Sequence, residues 1–392
     1  MIMLKYTTIY AITWSIVLIL YLFGWSGINQ PLSFDMYFFL ISSILISILM
    51  SFVSRPTFAR RLIIKKQHKP LITKIILVCF LLDWIYIGQV PLFGSYQGFS
   101  GEVDTGFSVG IPVVHVILMS FSLYYAMLLS YLYLSNRELK VYQKEYVCIL
   151  LLFLLNNSRG YIVFCILTYL LLYYSLEKRS WRQVKLSVLL VMIFGLISAL
   201  LFISFMGNVR SGLNWNDCSM IERIGQFDNY PAGLTKHFMW SYSYITSPLA
   251  NLNLNLQLNN GEINIVGIIS SLIPESFSKG YLSTVVALKY VANYLNAATM
   301  YSSFASLGGV FGLCAAFILY NIYYNIILKL LQKDGLLMTF GTAIFGFCAI
   351  TTIFFNPFTT SAICYFPLYL LITSKLFYKQ YERGEVSLSA ID

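Results

Sequence analysis

Residues 146–176 read YVCILLLFLLNNSRGYIVFCILTYLLLYYSL, which is two apolar limbs separated by the polar break NNSRG at 156–160. One bilayer crossing takes about 20 mostly apolar residues, so this stretch is too long for one crossing and short for two. Broken helices at membrane depth persist only where they face protein or water. We therefore predict a helical hairpin whose break lies in a protein-lined cavity; the alternative is that loop residues extend the first limb.

The rest of the chain is also strongly apolar. Of its 392 residues, 58% are hydrophobic and only 11% are charged, and the mean hydropathy is +0.73. A soluble domain carries about 25% charged residues, so water is not the main solvent of this chain. Counting the hairpin as two crossings, we predict an all-α, polytopic membrane protein with about ten transmembrane helices. The first run lacks a cleavage site and is expected to be a retained signal-anchor. Outside the hairpin, the predicted spans are 7–23, which is this first run, and 35–53, 75–93, 110–134, 187–206, 303–328, 336–355 and 361–378.

Most of the basic residues lie in short segments between the apolar runs. They cluster in 54–74, 135–145 and 177–185 and after the last run, and the positive-inside rule makes these segments cytoplasmic. Both termini are then cytoplasmic as well. One large outer region remains, and its part-apolar stretches predict short helices at the membrane interface. The predicted divisions are N-terminal transmembrane helices (1–206), the periplasmic region (207–302), and C-terminal transmembrane helices with a cytoplasmic tail (303–392).

Six of the 26 basic residues fall on the outer side, against this trend. Arg159 lies in the hairpin break, where an arginine costs a few kcal/mol and marks a functional site by default. The alternative for Arg159 is a structural ion pair with Asp83. Arg210 follows a predicted span, and the planar guanidinium fork suits a phosphate. We predict that Arg159 and Arg210, together with Arg223, bind a pyrophosphate group. The remaining three, Lys236, Lys279 and Lys289, are interpreted as solvated charges.

The histidines give one candidate for a general base. His237 is the histidine of the outer region and is our first choice for proton abstraction near neutral pH. His115 lies in an apolar run and is interpreted as a buried, hydrogen-bonded residue, and His68 as a solvated one. Five outer carboxylates compete with His237 for the role: Asp217, Glu222, Asp228, Glu262 and Glu275.

The stretch YSYITSPLANL at 242–252 mixes aromatic rings, hydroxyls and amides. Rings can pack on sugar faces and side-chain amides can bond sugar hydroxyls. We therefore predict sugar binding by Tyr242, Tyr244 and Asn251, and we assign Asn296 to the same role. The alternative is an amphipathic helix lying at the interface.

Several other classes of chemistry are not indicated. The sequence has no Walker loop, dinucleotide fingerprint or zinc-ligand spacing, so neither a metal nor a cofactor is expected. Cys218 is the one cysteine of seven outside the apolar runs, which excludes a disulfide framework. The net charge of +10 is dispersed between apolar runs, so nucleic acid is not an expected partner.

In the order and placement of its motifs, the chain resembles the bacterial O-antigen polymerase (Wzy) family. The resemblance covers most of the chain. It rests on the hairpin break with Arg159, on NVRS at 208–211 opening a long outer loop, and on the Tyr-rich stretch that ends SPLANL at 247–252. NAAT at 296–299 then precedes a span with a glycine pair.

The resemblance implies a glycosyltransferase of the bacterial inner membrane. Such an enzyme would transfer the growing glycan from undecaprenyl pyrophosphate to the terminal sugar of a second lipid-linked repeat unit, at the periplasmic face. Donor, acceptor and membrane lipid would be its partners, and a chain-length regulator would work beside it. Two alternatives remain: a lipid-linked oligosaccharide flippase or other transporter, and an O-antigen ligase. The outer region of about 95 residues and the lack of a repeat argue against a transporter.

Overall fold

The computed structural model describes residues 5–53, 59–65, 70–94, 110–111, 113–177, 200–209, 211–278, 286 and 288–390, and it is mostly helical. In chain order its helices include α1 (Tyr6–Leu22), α2 (Phe34–Val53), α3 (Leu71–Ile87), α4 (Pro91–Gly94), α5 (Val114–Ser135), α6 (Lys140–Leu155), α7 (Arg159–Leu176), α8 (Leu200–Val209), α9 (Ser219–Gly225), α10 (Phe238–Leu258), α11 (Ile265–Ser270), α12 (Ser302–Asp334), α13 (Met338–Thr351) and α14 (Phe366–Glu382). The strands β1 (Arg60–Ile64) and β2 (Val386–Ala390) form an antiparallel pair.

Four helices in the described part of the chain are long and apolar enough to cross a membrane. They are α2, α5, α7 and the first 32 residues of α12. Helices α1, α8 and α13 are apolar but shorter, and the predicted span 187–206 is described only from residue 200. Ile12, Ile16 and Ile19 share one face of α1 and are 50%, 51% and 55% exposed. Apolar faces turned outward in this way are typical of helices that contact lipid.

The predicted hairpin is present, with its break at residues 156–158 between α6 and α7. Helix α6 begins at Lys140, six residues before the apolar limb, and its 16 residues measure about 24 Å at 1.5 Å each. The limb is therefore extended by loop residues, which was the alternative to a short, deeply placed limb. Trp84 Nε1 donates to Asn156 Oδ1 at 3.2 Å, so the break is tied to α3.

One end of the helix bundle carries a small face, here called the sheet face, formed by β1, β2 and residues 136–137 and 177. The all-α prediction missed its two strands, which pair Arg60 with Ala390 and Ile64 with Val386. The Asn136 side chain extends the pairing, because its Nδ2 donates to Leu62 O and its Oδ1 accepts from Ile64 N. Three segments predicted to be cytoplasmic and the C-terminal tail thus meet on one face.

Helix α10 lies toward the opposite end and corrects the prediction of only short interfacial helices in 207–302. It is 21 residues long, largely buried, and packs against α1, α9 and α12. Its centre carries the alternation NLNLNL at 251–256, in which the Leu252 and Leu256 side chains join the apolar core.

The asparagines of this alternation form hydrogen bonds with the backbone of neighbouring segments that have no regular secondary structure. Asn255 exchanges two hydrogen bonds with the backbone of Lys289, at 2.7 and 3.0 Å. Asn253 donates to Pro31 O and accepts from Ser33 N. Each amide copies the donor and acceptor of a peptide group, so irregular backbone is held as a neighbouring strand would hold it.

Candidate functional site

Arg159 is the first residue of α7, and it is exposed at the hairpin break. Its Nε donates to Asn157 Oδ1 at 3.2 Å, and its Nη1 lies 3.6 Å from the sulfur of Met206 in α8. Within the described residues no carboxylate oxygen lies within 4.0 Å of this guanidinium. The predicted alternative, an ion pair with Asp83, is therefore wrong.

The position of Arg159 makes an electropositive site. A helix N-terminus carries a partial positive charge and unpaired N–H groups, which favour anions and disfavour cations. An arginine there adds charge of the same sign, and no described carboxylate neutralises it. The arrangement suits an anionic ligand with several oxygen atoms, because the Arg159 guanidinium and the N–H groups at the start of α7 can bind different oxygens of the same ligand.

Asp83 and His115 form a pair beside the break. His115 Nδ1 lies 2.6 Å from Asp83 Oδ2, and the backbone N–H of Ile111 donates to Asp83 Oδ1 at 2.8 Å. Asp83 is 1% exposed, whereas 18% of the His115 side chain is exposed. The predicted hydrogen bond of His115 is confirmed, and its partner is the acid that was assigned to Arg159; the predicted burial is wrong, because His115 is only partly buried.

His237 lies at the start of α10 and has both ring nitrogens engaged. Nε2 lies 2.9 Å from Asn216 Oδ1 and Nδ1 lies 3.1 Å from Ser204 Oγ, with the Cys218 sulfur 3.6 Å from Nδ1. The ring also stacks on Trp215 at 6.2 Å between centroids. Because Asn216 Oδ1 is an acceptor, Nε2 carries the proton and Nδ1 accepts from the serine hydroxyl. His237 therefore needs to give up one internal contact before it can act as a base.

Helix α8 separates His237 from Arg159. His237 contacts Ser204 and Arg159 contacts Met206, and residues two apart on a helix point about 200° away from each other. The side of α8 that faces α10 is tightly packed, since a Cβ at Gly207 would lie 2.6 Å from the Trp240 ring. The structure therefore brings both predicted residues to one helix, on different sides of it.

Several of the remaining predicted charges have defined surroundings. Arg223 is exposed on α9, and the described residues form no ion pair with it. Lys236 forms an ion pair with Glu222 at 2.8 Å. Because its carboxylate has this partner, Glu222 is a poorer candidate for the general base. Hydrogen bonds from the Ser219 hydroxyl and backbone N–H lower the pKa of Asp217, which makes it a weaker base. Arg210 and Lys279 lie outside the described residues.

Two of the predicted sugar-binding residues are committed to the scaffold. The Tyr242 hydroxyl donates to Leu20 O and accepts from Asn29 Nδ2. Asn251 is fully buried; its Nδ2 donates to Leu295 O and Ala297 O, and its Oδ1 accepts from Val291 N. We therefore correct both assignments, because no polar atom of either side chain is left for a sugar.

Tyr244 and Asn296 remain as predicted sugar-binding residues. Tyr244 is half-buried and stacks on Trp240, with ring centroids 5.8 Å apart. Asn296 is exposed in the irregular segment that follows α11.

Sequence reasoning missed the Asp83–His115 pair, although a signal existed. An acid within an apolar run is a functional candidate by default, and Asp83 and His115 lie in neighbouring predicted spans. Only the packing of α3 against α5 shows that the two side chains meet.

No protein-family model matches the chain, and no curated protein or solved structure is significantly similar to it. In the part of the chain that the structure describes, no three His, Cys, Asp or Glu side chains are placed to hold a metal ion together.

Proposed function

We propose that this chain is a polytopic membrane glycosyltransferase with about ten transmembrane helices and both termini in the cytoplasm. It transfers a growing glycan from undecaprenyl pyrophosphate to the terminal sugar of a second lipid-linked repeat unit, as an O-antigen polymerase of the bacterial inner membrane does. A chain-length regulator is its proposed partner. The outward apolar faces and the same-side placement of the basic segments support the topology.

The observation that carries this proposal is the state of Arg159. Its guanidinium lies at a helix N-terminus, at the break of an apolar hairpin, and its side-chain partners among the described residues are an amide oxygen and a thioether. An exposed guanidinium at the end of an apolar hairpin, without a carboxylate partner among the described residues, is available to bind an anion. A pyrophosphate leaving group supplies the missing negative charge.

The chemistry follows from charge development. As the glycosidic bond to the donor breaks, negative charge grows on the departing pyrophosphate, and cationic donors placed there stabilise the transition state. Arg159 takes this role, and Arg210, four residues beyond Met206 in sequence, is proposed as its partner, with Arg223 at the periphery. Tyr244 and Asn296 are proposed to contact sugars.

The test replaces Arg159 and Arg210 by Ala, one at a time, in the native host, and examines the lipopolysaccharide on a gel. A polymerase that has lost its pyrophosphate site leaves core carrying one repeat unit and no ladder. Core without any repeat unit would indicate a ligase or a flippase. The matched control is Arg137→Ala on the sheet face, which keeps the ladder. An intact ladder in Arg159→Ala, with normal protein amount, contradicts the proposal.

A further inference from the structure

Asp83 and His115 have the geometry of an imidazole prepared to accept a proton. The Nδ1–H of His115 donates to Asp83 Oδ2, so the neutral ring has its lone pair on Nε2. No described residue forms a hydrogen bond with Nε2, and 18% of the side chain is exposed. The carboxylate is itself held by the backbone N–H of Ile111. The tautomer and the ring orientation are therefore both set by the protein.

The backbone around this pair is shaped to admit it. Gly110 has φ +102°, and a Cβ there would lie 2.5 Å from His115 Nδ1 and 2.6 Å from Asp83 Oδ1. Any side chain at this position would displace the imidazole or the carboxylate. Glycine at position 110 therefore leaves room for the contact between the imidazole and the carboxylate.

The pair lies beside the site of Arg159. His115 and Met119 are one helical turn apart on the same side of α5, and Asn156 Nδ2 lies 3.5 Å from the Met119 sulfur. From the other side, Trp84, next to Asp83 in sequence, donates to the same Asn156. Both members of the pair are thus joined through Asn156 to the hairpin break, and Arg159 is three residues farther on.

His237 makes the contrast clear. Both of its ring nitrogens have partners inside the protein, at 2.9 and 3.1 Å, and its ring lies on the opposite side of α8 from Arg159. Among the described residues, His115 has a partner on Nδ1 only, and that partner is a carboxylate that would stabilise the charge the ring gains. Of the two, His115 has the arrangement that general-base catalysis requires.

We propose that His115 is the general base of the glycosyl transfer and that Asp83 is its positioning residue. The inference rests on the proposed function. Nε2 takes the proton of the acceptor hydroxyl while that oxygen forms a bond to the anomeric carbon of the donor. The bond from this carbon to the pyrophosphate oxygen breaks, and its electron pair leaves with undecaprenyl pyrophosphate. Asp83 stabilises the imidazolium, which then returns its proton to water.

The experiment uses purified full-length protein added to membrane vesicles of the native host that lack its gene and hold lipid-linked repeat units. His115→Asn places an amide N–H near the position of Nδ1, so it can keep the bond to Asp83 while removing Nε2. We expect the polymerisation rate to fall by at least about 100-fold, with an unchanged melting temperature. His68→Asn, in a predicted cytoplasmic segment, is the control and keeps wild-type activity. Asp83→Asn is expected to lower kcat by at least about tenfold and to leave KM unchanged.

The outcomes separate the inference from the proposed function. A His115→Asn enzyme that polymerises at the wild-type rate, while Arg159→Ala is inactive, overturns the base assignment and leaves the proposed function intact. Vesicles in which the wild-type protein makes no polymer overturn the proposed function itself. If His115→Asn is unstable, imidazole added to His115→Ala decides: recovered polymerisation supports a base at this position, and no recovery overturns it.

Discussion

The two ends of the helix bundle treat their arginines in opposite ways. On the sheet face Arg61 and Arg137 share the carboxylate of Glu177, at 3.6 and 2.6 Å. At the hairpin break Arg159 has no carboxylate among the described residues, although it sits at the positive end of a helix. A basic residue that sets membrane orientation can pair with a carboxylate and keep that role. A basic residue that binds an anionic ligand needs a guanidinium or ammonium group that is not already paired with a carboxylate.

The two ends also differ in how they hold irregular backbone. On the sheet face one backbone strand pairs with another, and the Asn136 side chain extends this pairing at Leu62 and Ile64. Around α10 the same task falls to asparagine side chains, and Asn251 alone satisfies Leu295 O, Ala297 O and Val291 N. The second end is therefore far more sensitive to single substitutions.

The largest effect is expected from Asn251→Ala. The substitution removes the partner of one buried carbonyl group and of a partly buried carbonyl and N–H, and an unsatisfied buried group costs about 1–3 kcal/mol. We expect the free energy of unfolding to fall by about 3 kcal/mol, measured by denaturant titration in detergent. Asn293→Ala, at an exposed position of the same segment, is the control and stays near wild type. Equal stabilities of the two variants would contradict the scaffold role of Asn251.

An intermediate effect is expected from Asn157→Asp, which places a carboxylate beside Arg159 as Glu177 lies beside the arginines of the sheet face. Asn157 already accepts from Arg159 Nε at 3.2 Å, so Asn157→Asp creates an ion pair that would compete with the proposed pyrophosphate ligand. We expect about a tenfold loss of polymer formation, or about 1.4 kcal/mol, without loss of stability.

The control for this substitution is Asn157→Gly, which removes the amide without adding charge. Glycine also accepts the φ of +55° found at this position. It should keep activity near wild type in the same vesicle assay. If the aspartate variant is as active as the glycine variant, the guanidinium does not need to be free.

The smallest effect is expected from Glu177→Gln. The side chains of Arg61 and Arg137 are 33% and 49% exposed, and water screens ion pairs of this kind. The loss of stability should be about 1 kcal/mol or less, and it should shrink at high salt. Thermal unfolding in low and high salt measures it, with Glu382→Gln at an exposed position of α14 as the control. A loss above about 3 kcal/mol would show that the sheet face depends on this carboxylate.

Much of the helical framework could be predicted, because a membrane helix is encoded locally by the length of an apolar run. The predicted span 35–53 corresponds to α2, and 303–328 lies within the longer α12. Charge counting singled out Arg159, since a cation against the topological bias needs a reason, but the exposure of its side chain was not predicted. The strands β1 and β2 could not be predicted, because their partners are more than 300 residues apart and each strand is only five residues long.

The candidate site was predicted less completely. The side chains at 242 and 251 have the composition of a sugar site, and that composition is also the one a buried scaffold of hydroxyls and amides needs. Composition cannot distinguish these uses, because the difference lies in whether backbone from elsewhere reaches the polar atoms. For the same reason His115 was interpreted as a buried residue without a further role.

The sequence by itself determined the helical hairpin, its break and the position of Arg159 in that break, because apolar length and charge position act locally along the chain. Tertiary structure decided which polar groups are used and which are free. Asp83 faces His115 and not Arg159 because α3 packs on α5, and both ring nitrogens of His237 have partners because Ser204 and Asn216 lie beside its ring. Such choices depend on helix packing, which no single segment encodes.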